Sequence, residues 1–261
     1  MLKILFSVAI GCGALGALLF FGQRSLIYFP APLTVYPQAY NASDLQVAYL
    51  ETSDHLKIYG WYKPPREGRP LFIYFHGNGG HLGMRIPFLR RFLNEGYGLF
   101  LLSYRGYAGN PGSPTEQGLY KDARAAIRWV LKQTPQSPLV LYGESLGSAV
   151  AIQMALEYPI DALILQSPFT SLTAVGHWHY PFLPVKLLLQ DKFESLKKME
   201  NIHVPVLVIH GQFDPIVPVW MGEQIYTEAS QPKVLKIYPN KHHNDLGSDD
   251  LVQTIHAFLK K

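Results

Sequence analysis

A serine enclosed by glycines is the residue of this chain with the clearest chemical potential. Ser145 lies at the centre of the pattern Gly-Glu-Ser-Leu-Gly at 143–147, between an apolar run at 139–142 and a stretch rich in small residues at 148–157. A serine on a sharp turn from a strand to a helix has the geometry of a nucleophile elbow, in which the glycines allow close packing and the hydroxyl is exposed. We therefore predict that Ser145 is a catalytic nucleophile.

A nucleophilic serine needs a general base, and the base needs an acid that orients it. When a nucleophile elbow is present, both follow later strands of the sheet, and the acid comes before the base. Asp214 follows a predicted strand at 206–210, and His243 follows another at 234–238. Their order and positions predict a catalytic triad with Ser145.

Alternatives to this assignment remain open from the residues alone. His242 is a rival base beside His243, and Asp245 is a rival acid on the same loop. Asp214 could instead only open a turn, as aspartate commonly does before proline. The closely spaced histidines do not indicate a metal site, because no paired carboxylates accompany them.

The oxyanion formed by serine attack needs two N–H donors that are already in place. The backbone amide of Leu146, directly after the nucleophile, is the first candidate. The second is expected from the glycine-rich loop at 76–80, where the amide of Asn78 is our choice and that of Gly79 is the alternative.

The elements around these residues alternate between short apolar strands and longer helices. Such alternation predicts an α/β fold with a mostly parallel central sheet and helices on both faces. The predicted strands are 45–51, 56–63, 71–75, 98–103, 139–142, 162–165, 206–210 and 234–238, and the predicted helices are 82–94, 115–133, 148–157, 219–230 and 248–259. Residues 170–201 interrupt the alternation, and we predict a small helical cap insertion over the carboxyl edge of the sheet. Its aromatic and leucine side chains would line an acyl pocket that could face the bilayer, or they would simply pack a helical cap onto the core.

The N-terminal region carries a nearly unbroken apolar run at 4–22. Such a run is long enough to cross a bilayer core of about 30 Å, so we predict a transmembrane anchor over 1–22. A cleaved signal peptide is the main alternative, and the segment ending at Cys12 resembles a lipoprotein box only loosely. We predict an extended connector at 23–43 near the membrane surface and a hydrolase domain at 44–261 on the extracytoplasmic side.

Composition and charge exclude other classes of protein. The net charge of +4 comes from scattered basic residues, which argues against a nucleic-acid partner. With a single cysteine the chain cannot form an internal disulfide. An apolar content of 48% is ample for a sizeable core.

Six segments together resemble the serine hydrolases of the α/β-hydrolase superfamily. The resemblance is greatest to the membrane-anchored branch related to the abhydrolase-domain protein depalmitoylases. The segments are Gln-Arg-Ser-Leu-Ile-Tyr-Phe-Pro at 23–30, His-Gly-Asn-Gly-Gly at 76–80, Tyr-Arg-Gly-Tyr at 104–107, Gly-Glu-Ser-Leu-Gly at 143–147, His-Gly-Gln-Phe-Asp at 210–214 and His-Asn-Asp at 243–245.

This resemblance implies Ser145 as nucleophile, Asp214 as acid and His243 as base, without a metal or an organic cofactor. The branch has glycine where this chain has His242, and the match at 243–245 favours His243 as the base. The expected activity is cleavage of an ester or thioester, in a small molecule or an acylated protein, through an acyl-enzyme. A peptidase of the same fold and a non-catalytic membrane scaffold are the alternatives.

Overall fold

The first helix is longer than the apolar run that predicts it. The computed structural model describes the backbone of residues 1–260 and all of their side chains except those of 2–5, 8–10, 12 and 15. Helix α1 covers Leu2–Ile27 and so continues past residue 22, where the sequence predicts the connector to begin. Within the described residues, no helix is both long and apolar enough to cross a membrane. The transmembrane prediction is therefore not confirmed, and several side chains that support it lie outside the described residues.

The connector is only partly extended. After α1 ends, the short strand β1 at Phe29–Pro30 pairs in parallel with β5 at Gly79–Gly80. A 3₁₀ turn at Pro37–Tyr40 then leads towards the main sheet. The predicted extended segment thus begins five residues late, because the backbone of residues 23–27 continues the helix.

A mixed sheet of eight strands forms the centre of the fold, as the alternating pattern predicts. Its spatial order is β10-β9-β8-β7-β4-β6-β3-β2, and β3 runs antiparallel to both of its neighbours, whereas the other recorded pairings are parallel. The strands are β2 Gln46–Glu51, β3 Lys57–Lys63, β4 Leu71–Phe75, β6 Gly98–Leu102, β7 Leu139–Glu144, β8 Ala162–Gln166, β9 Val206–Gly211 and β10 Lys233–Tyr238.

Helices cover both faces of this sheet, which explains why the central strands are apolar throughout. The helices are α2 Ile86–Asn94, α3 Glu116–Gln133, α4 Leu146–Glu157, α8 Val219–Glu228 and α9 Asp249–Leu259. On β4, Ile73 packs into the core shared with α3 and α4, whereas Phe72 packs into the core shared with α2 and α9. The predicted fold class is therefore confirmed.

Between β8 and β9 the chain forms three short helices, α5 Leu172–His179, α6 Val185–Leu188 and α7 Leu196–Met199. His179 at the end of α5 donates from Nε2 to the carbonyl of Ile216, at 2.9 Å. Because Ile216 follows β9, this contact brings the inserted helices to the carboxyl end of the sheet, where the candidate site residues also lie.

Candidate active site

Ser145 occupies a strained position between β7 and α4. Its φ angle of 51° lies in the left-handed region that residues with a Cβ rarely adopt, and its amide donates to the carbonyl of Gln166 at 2.8 Å. A Cβ on Gly147 would lie 1.9 Å from the carbonyl oxygen of Phe75, and one on Gly143 would lie 2.5 Å from that of Gly147. Both glycines are therefore required for the turn that presents the serine.

Three of the predicted site residues are joined by hydrogen bonds. The Nε2 atom of His243 lies 2.9 Å from the hydroxyl oxygen of Ser145. The Nδ1 atom of the same ring lies 2.6 Å from Oδ2 of Asp214. When Nδ1–H donates to the carboxylate, Nε2 is left free to accept the proton of the serine hydroxyl.

The carboxylate of Asp214 is oriented by its own turn. Its Oδ1 atom accepts the backbone N–H groups of Ile216 at 2.9 Å and Val217 at 2.8 Å. Burial alone would raise the pKa of Asp214, but hydrogen bonds from His210 and His243 hold it well below the usual range for an aspartate. Asp214 is therefore ionised at neutral pH, and both of its oxygens are engaged.

His210, at the end of β9, is a site residue to which the sequence alone gave no separate role. Its Nε2 atom donates to the carbonyl of Val217 at 2.8 Å and also lies 3.3 Å from Oδ2 of Asp214. A Cβ on Gly222 would lie 2.3 Å from Nδ1 of His210, so α8 needs glycine at this position to pack against the imidazole. The signal in the sequence is a histidine that ends an apolar strand four residues before the acid.

The rival residues on the last loop contact one another. The amide of His242 donates to Oδ1 of Asp245 at 2.6 Å, and its ring nitrogen Nδ1 lies 3.5 Å from Oδ2. The side chain of His242 is 59% exposed, whereas that of His243 is 8% exposed. Of the two histidines, His243 is the buried one and the one that contacts Ser145.

The two predicted oxyanion donors both lie at the carboxyl ends of neighbouring strands, at the same edge of the sheet. Leu146 is the first residue of α4, so its N–H has no acceptor within the helix and lies at the positive end of the helix dipole. Asn78 lies in the loop after β4, which is the direct neighbour of β7 in the sheet. We call residues 76–80 the β4 loop.

Glu144, which the sequence left without a role, joins the nucleophile turn to the β4 loop. Its carboxylate accepts from Arg85 Nη2 at 2.8 Å, from Arg85 Nε at 3.0 Å and from the Tyr74 hydroxyl at 2.8 Å. Arg85 Nη1 also donates to the carbonyl of Gly79 at 2.9 Å. Burial would raise the pKa of Glu144, but Arg85 lowers it below its usual value. The pair is charged and largely buried.

The inserted helices present apolar side chains outwards. Four large side chains of this region are more than half exposed. They are Trp178, Tyr180, Phe182 and Leu187, with exposed fractions of 57%, 54%, 79% and 82%. Only the rings of Tyr180 and Phe182 are recorded in contact within this set, and at these exposed fractions the four side chains do not line an enclosed pocket.

Comparisons with known proteins agree with this architecture. Residues 70–195 match a protein family described by its alpha/beta hydrolase fold. An uncharacterised protein of Mycobacterium tuberculosis is 40% identical over 91% of this chain and 87% of its own length. The lysophosphatidylserine lipase ABHD12 of Danio rerio is 32% identical over 67% of this chain, which spans 51% of that lipase.

Among solved structures, an esterase of Pyrococcus furiosus superposes with a TM-score of 0.71. The match covers 90% of this chain and 97% of the esterase, at 22% sequence identity. At this identity the likeness concerns the fold alone.

Proposed function

The chain belongs to the α/β-hydrolase family of hydrolytic enzymes, and we propose that it cleaves carboxylic esters or thioesters through an acyl-enzyme. The observation that carries this proposal is the continuous chain of hydrogen bonds from Ser145 through His243 to Asp214. A hydroxyl, an imidazole and a carboxylate in this order are the parts that a serine nucleophile requires.

In the first half of the reaction, the Ser145 oxygen attacks the carbonyl carbon as its proton passes to Nε2 of His243. The negative charge that develops on the carbonyl oxygen is stabilised by the amides of Leu146 and Asn78. Collapse of the tetrahedral intermediate breaks the bond to the alcohol or thiol, which leaves with the proton from His243. Water then attacks the acyl carbon with the same imidazole as base, the bond to the Ser145 oxygen breaks, and the acid is released as His243 returns the proton to Ser145.

Asp214 acts throughout as an ionised carboxylate. Its pKa is lowered by the hydrogen bonds it accepts, so it does not compete with His243 for the transferred proton. Its role is to hold Nδ1–H and to stabilise the imidazolium that forms when Nε2 is protonated.

The substrate class we propose is an acyl ester or thioester with a long aliphatic chain, met at a membrane. Support comes from the exposed apolar side chains of the inserted helices and from the apolar run at 4–22. The Danio rerio relative is named a lipase, which agrees with an ester of this kind. We further propose that α1 attaches the enzyme to the membrane, with the hydrolase domain on the extracytoplasmic side.

Substitution of the nucleophile tests the activity directly. Ser145→Ala should abolish labelling by a fluorophosphonate probe and lower kcat for a p-nitrophenyl ester by about 10⁴-fold or more, because the attacking oxygen is lost. Ser113→Ala, at an exposed serine, is the matched control and should behave as the native enzyme. Equal labelling of the Ser145→Ala and native proteins would refute the mechanism.

Alanine variants of the two neighbouring histidines identify the general base. His243→Ala should be as inactive as Ser145→Ala, whereas His242→Ala should retain most activity, because its ring contacts Asp245 and not the serine. An inactive His242→Ala beside an active His243→Ala would assign the base to the other histidine.

The membrane proposal is tested by fractionation of the full-length protein. We expect it to sediment with membranes and to be released by detergent but not by high salt. Release by salt alone would show that α1 does not insert.

A further inference from the structure

We propose that the connector at 23–43, which begins in the last turns of α1, is part of the active site, because it holds the β4 loop and hence the second oxyanion donor. The connector clamp, as we call it, joins Ile27 and the β1 strand to Asn78 and β5. This inference rests on the proposed serine-hydrolase function and adds positioning residues to it. It assigns to the N-terminal region a role in turnover that is separate from membrane attachment.

The first element of the clamp is a backbone ladder. The β1 strand pairs in parallel with β5, and Phe29 lies opposite Gly79 while Pro30 lies opposite Gly80. Gly80 has a φ angle of 80°, which a residue with a side chain rarely adopts. A glycine-rich loop has little internal restraint, so an external strand is an effective means of fixing its backbone.

The side chain of Asn78 is the second element. Its Oδ1 atom accepts from the Tyr107 hydroxyl at 2.8 Å and from the backbone N–H of Phe29 at 3.4 Å. Its Nδ2 atom donates to the carbonyl of Ile27. These partners fix the orientation of the amide, because the oxygen faces two donors and the nitrogen faces an acceptor. The residue proposed to stabilise the oxyanion through its N–H is thus tied to the connector through its side chain.

The connector is itself anchored on its upstream side. The buried hydroxyl of Tyr28 donates to Oδ2 of Asp191 at 3.1 Å, and Arg24 Nε lies 3.2 Å from the same oxygen. Gln23 donates from Nε2 to the carbonyl of Leu188 at 3.0 Å. The last turn of α1 and the segment that follows it therefore bridge the inserted region and the β4 loop.

The β4 loop is held from its other side by the Arg85–Glu144 pair, through the carbonyl of Gly79. Loss of the clamp would leave this restraint and the hydrogen bond from the Tyr107 hydroxyl, and would allow the Asn78 amide to move relative to Ser145. A hydrogen bond to the oxyanion is worth most in the transition state, so its misplacement lowers kcat and leaves KM nearly unchanged.

The test uses full-length protein in detergent and a short-chain p-nitrophenyl ester, so that membrane binding does not affect the rate. Phe29→Pro removes the backbone N–H that donates a hydrogen bond to Oδ1 of Asn78. The substitution should fit the backbone, because Tyr28 already has the extended conformation that a following proline requires. Phe29→Ala keeps that N–H and removes the exposed ring. We expect kcat to fall about tenfold for Phe29→Pro and at most about twofold for Phe29→Ala, with KM unchanged in both.

A variant on the other side of the clamp gives an independent measurement. Asn78→Asp retains the backbone N–H and the acceptor oxygen, but it sets a second oxygen against the carbonyl of Ile27. We expect about a tenfold or greater loss of kcat, a parallel loss in the rate of fluorophosphonate labelling and no change in KM.

Native kcat in both Phe29→Pro and Asn78→Asp would overturn the inference. So would an equal loss in Phe29→Pro and Phe29→Ala, because the ring and not the N–H would then matter. Failure of the proposed function is distinguishable from either result, since the native enzyme itself would neither hydrolyse the ester nor react with the probe.

Discussion

At the scale of single residues, the Arg85–Glu144 pair is the interaction that joins the nucleophile turn to the β4 loop. The two side chains are 12% and 18% exposed, and Arg85 donates two hydrogen bonds to the carboxylate. Charges that are mostly removed from water stabilise a fold only while each retains its partner. The free energy of unfolding should therefore fall when either member is removed, and removal of both should cost less than the sum of the two single losses.

A double-mutant cycle tests this expectation. Glu144→Gln or Arg85→Met alone should lower the free energy of unfolding by about 3 kcal/mol, because each leaves a buried charge without its counter-charge. The double variant should lose less than the sum of the two, as measured by urea denaturation. Strictly additive losses would mean that the pair has no energetic coupling.

At the scale of elements, α4 packs so closely against the ends of β4 and β7 that glycine is required at position 147. The carbonyl oxygen of Phe75 at the end of β4 occupies the space that a Cβ on Gly147 would need, at 1.9 Å. Because the obstacle is backbone in the centre of the sheet, neither side can move without disturbing the pairing of β4 with β7.

Gly147→Ala should consequently lower the free energy of unfolding by about 3 kcal/mol or more, since this overpacking has no flexible side chain to relax it. Gly22→Ala is the matched control, because that glycine is also helical and a Cβ there meets no atom within 4 Å. The control should alter stability by no more than about 1 kcal/mol. Similar thermal unfolding of Gly147→Ala and the native protein would show that the contact between α4 and β4 can relax.

At the scale of the whole molecule, a buried imidazole beneath the site links folding to pH. His76 is fully buried against Tyr104 and Tyr107, with ring centroids at 4.5 and 5.2 Å, and its Nδ1 donates to the carbonyl of Gly77 at 2.7 Å. Burial, followed by the positive charge of Arg85, lowers the pKa of His76 to about 3. The folded protein therefore holds this ring neutral at pH values where the unfolded chain protonates it.

The sign of the pH effect follows from linkage. Between pH 6.5 and about 3 the unfolded chain binds one more proton at this position than the folded protein does. The stability that His76 contributes is therefore complete above pH 6.5 and is lost as the pH falls, by about 2 kcal/mol at pH 5. His76→Asn, which can keep the hydrogen bond to Gly77, should show a smaller loss between pH 7.5 and pH 5 in urea denaturation. Equal losses in the two proteins would show that His76 does not carry the effect.

The sequence by itself determined the fold class and the elements that carry the candidate residues. Buried parallel strands are apolar along their whole length, so they stand out against the polar helices and turns around them. The order of residues likewise shows the glycines that the turn at Ser145 requires. It also shows that Asp214 and His243 follow later strands. Each of these features depends on neighbours along the chain.

Only the tertiary structure decided which distant side chains support the site. Arg85 and Glu144 are 59 residues apart, and Asn78 and Ile27 are 51 apart. These pairs meet because β4 lies beside β7 and because the connector returns to the β4 loop, and neither arrangement leaves a periodic signal in the sequence. A hydrogen bond requires two groups to approach within about 3 Å. The partner of a polar side chain is therefore determined by the packing of the elements, and not by the residues next to it in the chain.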